Sequence, residues 1–147
     1  MEPQWEWQKL QNEQKQRIAD ALSDDPEKSW IGIRTLVEEA PPIEENGSPT
    51  IWEGPGRAAT LPLSYEALTT FIRQHDGEAQ QILAKHSNDR NPVVAGHCLM
   101  ALGWCHSELL TEAVSRCEAR TDMIHSIYGS FGWEGSLHEY GERLLDD

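Results

Sequence analysis

The sequence predicts an all-α fold: a single domain spanning residues 1–147, an irregular stack of about seven or eight helices interrupted by a long Pro/Gly-rich loop at 40–63. Three observations predict it. Cap residues followed by apolar sets at helical spacing recur along the chain. The prolines concentrate between Ala40 and Pro62, where they break any helical period. A hydrophobic fraction of 38% with six Trp supplies enough apolar surface for a core at this length.

Residues 4–22 are rich in Gln, Glu and Lys, with Trp7, Leu10, Ile18 and Leu22 as a sparse apolar set, which reads as an edge helix. Asp25-Pro26 then supplies a cap and a first-turn proline for a second helix bearing Trp30, Ile33 and Val37, ending before Pro41. From Ala40 to Pro62, five Pro and three Gly break any helical period. Ile43, Ile51 and Trp52 would anchor this loop to a core, and Thr50–Trp52 could form a short strand with no obvious partner.

Ser64 is expected to cap a third helix with Leu68, Phe71 and Ile72 on one face, and Glu78–His86 forms a short fourth. Asn91-Pro92 opens a fifth whose Val93, Val94, Cys98, Leu99, Met100, Ala101, Leu102 and Trp104 point all around the axis. It should therefore be the central helix, with Gly96 and Gly103 admitting a close neighbour. Ser107 caps a sixth helix through Leu109, Leu110, Ala113, Val114 and Cys117. Thr121-Asp122 is read as starting a seventh with Met123, Ile124, Ile127 and Tyr128. A glycine-rich loop, 129–135, precedes a last helix opened by a Ser136/Glu139 capping box.

The formal net charge is −13, and it is unevenly placed: residues 1–53 carry twelve acidic and five basic side chains, 54–90 four of each, and 91–147 nine acidic and three basic. This disfavours direct binding to nucleic-acid phosphates or anionic lipid, and favours encounter with a basic protein. Met1–Trp7 lacks a basic segment followed by an apolar run, and no stretch approaches the roughly 18 apolar residues of a membrane helix. The expected location is cytoplasmic. Cys98, Cys105 and Cys117 are an odd number, which fits buried free thiols better than a disulfide framework.

No catalytic constellation emerges, and the expectation is a protein that is not an enzyme and needs no cofactor. Cys98 and Cys105, seven apart on one helix, are roughly 10 Å apart along its axis, too far to share a zinc ion with His97, His106, Cys117 or His125 completing the set. Cys105 and His106 point about 100° apart, away from a shared hydrogen bond. Gly54-Pro55-Gly56-Arg57 lacks the ending of a phosphate-binding loop and reads as a turn. The carboxylates Glu38, Glu39, Glu44, Glu45 and Glu53 flank Trp52 in and beside the Pro-rich loop, while Trp133-Glu134 repeats the pairing in the second loop. Acidic groups for steering around aromatic anchors make these eight residues the candidate binding set, alongside the blander reading of a solvated acidic loop.

Ile82–Ala113 resembles one HEAT repeat: a short helix with Ile82 and Leu83, a polar turn ending Asn91-Pro92, then Val94, Cys98, Ala101, Leu102 and Gly103 where that family places Val, Ala, Ala, Leu and Gly. Ala95 stands where the family has a basic residue, and no second copy follows at a fixed period. The C-terminal part, Ile124–Tyr128, Gly129-Ser130-Phe131-Gly132 and Ser136-Leu137-His138-Glu139-Tyr140, resembles in general build the tails of small acidic helical immunity proteins of bacterial toxin systems. That resemblance implies a basic toxin domain as partner, neutralised by occlusion of its active site. The HEAT likeness implies the alternative, an adaptor or structural subunit of a larger protein complex.

Overall fold

The computed structural model describes residues 3–42, 47–56, 62–129 and 131–146, and the side chains of 3–8, 10, 11, 55 and 56, Trp7 and Leu10 among them, lie outside the described set. Seven helices and three strands follow in the order α1 (Pro3–Ala21), α2 (Pro26–Glu38), β1 (Thr50–Gly56), α3 (Leu63–His75), α4 (Gly77–Lys85), α5 (Pro92–Trp104), α6 (Leu110–Arg116), β2 (Met123–Gly129), β3 (Phe131–Ser136) and α7 (Leu137–Asp146). The protein is thus mostly helical, with a small sheet that corrects the all-α expectation.

Local signals set most helix starts. The Asp25 carboxylate accepts from Glu27 N–H at 2.9 Å and the Asn91 amide oxygen from Val93 N–H at 3.0 Å, each followed by a proline whose missing N–H costs nothing in the first turn. Ser136 and Glu139 exchange two bonds, 3.0 and 3.1 Å, as a capping box for α7. The third helix departs from expectation: it begins at Leu63 after an extended Pro62, and Ser64 is buried inside its first turn rather than capping it.

Helix α5 occupies the centre, with every residue from Val94 to Leu102 buried and neighbours on all sides. Its two glycines receive α7 and β1. A Cβ on Gly96 would meet the Ile51 side chain at 2.4 Å and Leu137 at 3.7 Å, and one on Gly103 would lie 3.5 Å from Leu144. Leu137 and Leu144, like Gly96 and Gly103, are seven apart, so α7 runs along the glycine face of α5. Trp104 is the exception, 38% exposed at the end of α5. On the other side, the buried Trp30 of α2 stacks on His86 with centroids 5.0 Å apart and tilts against Phe71 at 5.9 Å. Helices α4 and α5 pack together where the HEAT likeness lies, but one short helix and then the sheet follow them, and no repeating stack continues.

Two segments change character. The expected seventh helix is β2, and the glycine-rich loop is β3, joined to it by a tight turn in which Gly129 has φ +62°. Tyr128 pairs with Phe131 across that turn, and the register continues without a break to Met123 opposite Ser136. The strand considered for Thr50–Trp52 does exist, extends through Gly54-Pro55-Gly56 instead of turning there, and finds its partner in β2. It runs parallel to β2, Thr50 opposite His125 and Trp52 opposite Ile127, with the register shifting before Gly56. The inner face, carrying Ile51 and Ile124, lies on α5. Among the described residues no helix is long and apolar enough to cross a membrane.

Candidate protein-interaction surface

The structure disperses the eight candidate residues. Glu38 accepts from Arg34 Nε at 2.7 Å, and Glu39 is paired with Arg17 of α1. Arg34 reaches on to Asp89 at 2.7 Å, tying α2 to the turn between α4 and α5. Both glutamates are therefore offset by a guanidinium close by, which weakens them as steering charges. Glu44 and Glu45 lie outside the described residues.

Trp52 acts as a strut. Its indole N–H donates to the Pro41 carbonyl at 3.0 Å, tying the residues after α2 to β1. Its backbone N–H donates to His97 Nε2 at 3.1 Å, while His97 Nδ1 lies 2.9 Å from the Val93 carbonyl. These partners require the neutral tautomer with the proton on Nδ1. Complete burial pushes the His97 pKa down to about 4.

Glu53 and Trp133 converge on α7 from the inner face of the sheet. Glu53 accepts from the Tyr140 hydroxyl at 2.6 Å and lies 3.5 Å from Arg143. The Trp133 ring sits 5.7 Å from that of Tyr140 and under the Arg143 guanidinium at 5.6 Å. It folds back over its own strand, so that a Cβ on Gly135 would meet it at 2.5 Å. This cluster clamps the sheet to α7, and neither Glu53 nor Trp133 presents itself outward as the acidic-aromatic pattern predicts. Glu134 does, on the opposite face, with its side chain 56% exposed and 3.8 Å from His125 Nδ1.

A different set of side chains reaches the surface. Phe131 is 77% exposed and its cross-strand partner Tyr128 56%. The Tyr128 ring lies against β1 where Gly54 has no side chain; a Cβ there would be 2.6 Å from it. Arg73 of α3 stands over the Trp104 ring at 5.6 Å. Burial raises the Tyr65 phenol above its ordinary pKa, opposed by Arg73 and the Trp104 indole, and Tyr128 adds to the rise. Tyr65, Arg73 and Trp104 thus lie together, within electrostatic reach of Tyr128. Aromatic rings with an arginine, left partly in water, are the composition that interface hot spots favour. Leaving Phe131 exposed forgoes about 2 kcal/mol of burial, which a solubility role for the surface does not explain.

Sequence reading treats the aromatics of the 129–135 segment, Phe131 and Trp133, as exposed, which holds for Phe131, but it leaves out Tyr128 and Trp104 because it puts the first on a helix and the second in the core. The signal was present in Gly129-Ser130, two residues between Tyr128 and Phe131, a pattern that marks a tight hairpin.

The remaining reactive groups are held quiet. Burial raises the thiols of Cys98, Cys105 and Cys117, keeping them protonated at neutral pH. Among the described residues, no three His, Cys, Asp or Glu side chains gather as metal ligands would. A groove of about 360 Å³ between the start of α2 and α4 is lined by Asp25, Glu27, Glu78, Gln81 and Lys85, and Asp25 is engaged as the α2 cap. Comparison of the chain with known protein families, with characterised proteins and with solved structures returns no match.

Proposed function

We propose that this protein works by binding a basic protein partner through the hairpin end of its sheet, as the immunity partner of a toxin domain whose active site it occludes. The observation that carries the reading is the exposed aromatic pair Tyr128 and Phe131, paired across β2 and β3 in a chain of net charge −13. The acidic charge speeds encounter with a basic surface, and the rings supply the buried centre of the contact. The carboxylates first singled out at Glu38, Glu39 and Glu53 contribute to this field only as members of ion pairs, whereas Glu134 faces solvent beside the hairpin.

The test is capture of partners from the native host with the tagged full chain, followed by affinity measurements on whatever is captured. A basic partner is expected, its binding weakened by salt and reduced about 30-fold or more by Phe131→Ala, the size of an interface hot spot. Unchanged thermal stability of the variant checks that the loss is local. Capture of a multi-subunit assembly, bound equally at low and high salt and by the Phe131 variant, would favour an adaptor role and refute this reading.

A further inference from the structure

The two outer strands of the sheet are not equivalent as edges. In β1, Pro55 has no N–H to offer and the register shifts between Trp52 and Gly56, two devices that blunt an edge against further pairing. In β3 neither device occurs. Its six residues keep continuous register with β2, contain no proline and carry one charged side chain, Glu134. Among the described residues, the strand's packing neighbours are β2 and α7, and the one bond to its backbone from outside the ladder is the Glu139 carboxylate on Ser136 N–H at the end of the strand. The Ser136 N–H, bonded from outside the ladder, fixes the phase: Gly132 and Glu134 likewise turn their backbone donors and acceptors outward, at the spacing of an extended chain.

From this contrast we infer that β3 is the docking edge for an extended basic strand of the partner, which adds as the fourth strand of the sheet. The inference rests on the function proposed above only in taking the partner to be basic. Side chains specify the incoming sequence. Phe131 and Glu134 are three residues apart and so stand on opposite faces, the first 77% exposed and the second 56% exposed at its side chain. The complementary strand carries an apolar residue facing Phe131 and a Lys or Arg facing Glu134, also three apart. A second copy of this chain is a poor occupant, since pairing β3 with itself would bring together two chains of −13, each with Glu134 on the strand and Glu139 and Glu142 on the helix that follows.

The experiment titrates the 15N-labelled full chain with capped strand peptides of Thr and Val, carrying one Phe and one Arg three positions apart. The set includes the reversed sequence and a version with Glu in place of Arg. Expected are shifts and slowed hydrogen exchange at alternate amides of residues 131–136, with the Arg peptide binding about fivefold more tightly than the Glu peptide, the scale of one cross-strand charge pair. Glu134→Lys should invert that preference without altering the fold. The inference is overturned if no peptide perturbs β3 at millimolar concentration, if the preference survives Glu134→Lys, or if the free chain already dimerises through β3. A captured basic partner that needs Phe131 but leaves the β3 amides unprotected refutes the edge and spares the binding function. Absence of any basic partner refutes that function and leaves the peptide result to be judged by itself.

Discussion

Lowering the pH from 7 to 5 should weaken this fold through His97, and the size of the effect follows from its surroundings. The imidazole is fully buried, accepts the Trp52 N–H at Nε2 and faces the Val93 carbonyl with Nδ1. Protonating it would put a second proton where Nε2 must accept, and a charge that no carboxylate among the described residues offsets. Its folded pKa of about 4 lies below the ordinary value of 6.5. Below pH 6.5 the unfolded chain therefore binds the proton more readily. The stability is present above that value and is lost as pH falls toward 4. Integrated from pH 7 to 5, the loss is on the order of 2 kcal/mol for this one group, and on the order of 3 kcal/mol once pH is below 4. His86, whose pKa burial and Arg34 also lower, adds in the same window and in the same direction. Asp122, held low by Arg120, loses its contribution only at more acid pH and stays outside the window. Urea denaturation followed by Trp fluorescence at pH 7 and pH 5 measures the difference. His97→Gln keeps an acceptor for Trp52 but cannot titrate, so it should be less stable at pH 7 and lose on the order of 2 kcal/mol less between the two pH values. An equal pH dependence in the two proteins, or a His97 resonance titrating near 6.5, would refute the reasoning.

Three further outcomes follow from the packing. Gly96→Ala should destabilise by about 1–3 kcal/mol through overpacking, exceeding the roughly 1 kcal/mol that Ala gains in a helix, and Ile51→Val in the same chain should recover part of it; net stabilisation in thermal denaturation would contradict the close approach of β1 to α5. Tyr140→Phe removes the 2.6 Å bond to Glu53 and should cost about 1.5–3 kcal/mol by urea denaturation, as expected for a bond to a charged group. Asn91→Ala strips the α5 cap and should cost about 1 kcal/mol, read as a shift in the urea midpoint at constant slope.

The helical part of the fold was legible because its signals are local. Asp25, Asn91 and the Ser136/Glu139 pair announce helix starts within four residues of themselves, and the unbroken apolar run of α5 announces its central position. The sheet was illegible because its logic is not local. Met123, Ile124, Ile127 and Tyr128 fit helical spacing as well as they fit a strand, and the buried position between Ile124 and Tyr128 on the inner face is held by Ser126, which hides the alternation. The value of Thr50–Trp52 as a strand depends on a partner some 75 residues away, which no window over the sequence contains. For the site, composition drew attention to Trp52 and Trp133, but it could not separate aromatics that brace the interior from those left in water. That distinction depends on where Gly54 and Gly135 let a ring lie down.

The parallel pairing of β1 with β2 also bears on how the molecule is made. Joining Thr50 to His125 closes a loop of about 75 residues, an entropic cost of roughly 4 kcal/mol before any contact rewards it. Helices α3 to α6 lie inside that loop and can form and pack first, each on neighbours close in sequence. During synthesis β1 must wait, its inner residue Ile51 uncovered until α5 presents Gly96, and its ladder incomplete until β2 emerges. Sheet assembly is accordingly expected to be the late and slow event of folding. A nascent chain stalled before Met123 would hold the helices α1 to α6 without the hairpin, so Tyr128 and Phe131 take their places only after the helices beneath the sheet exist.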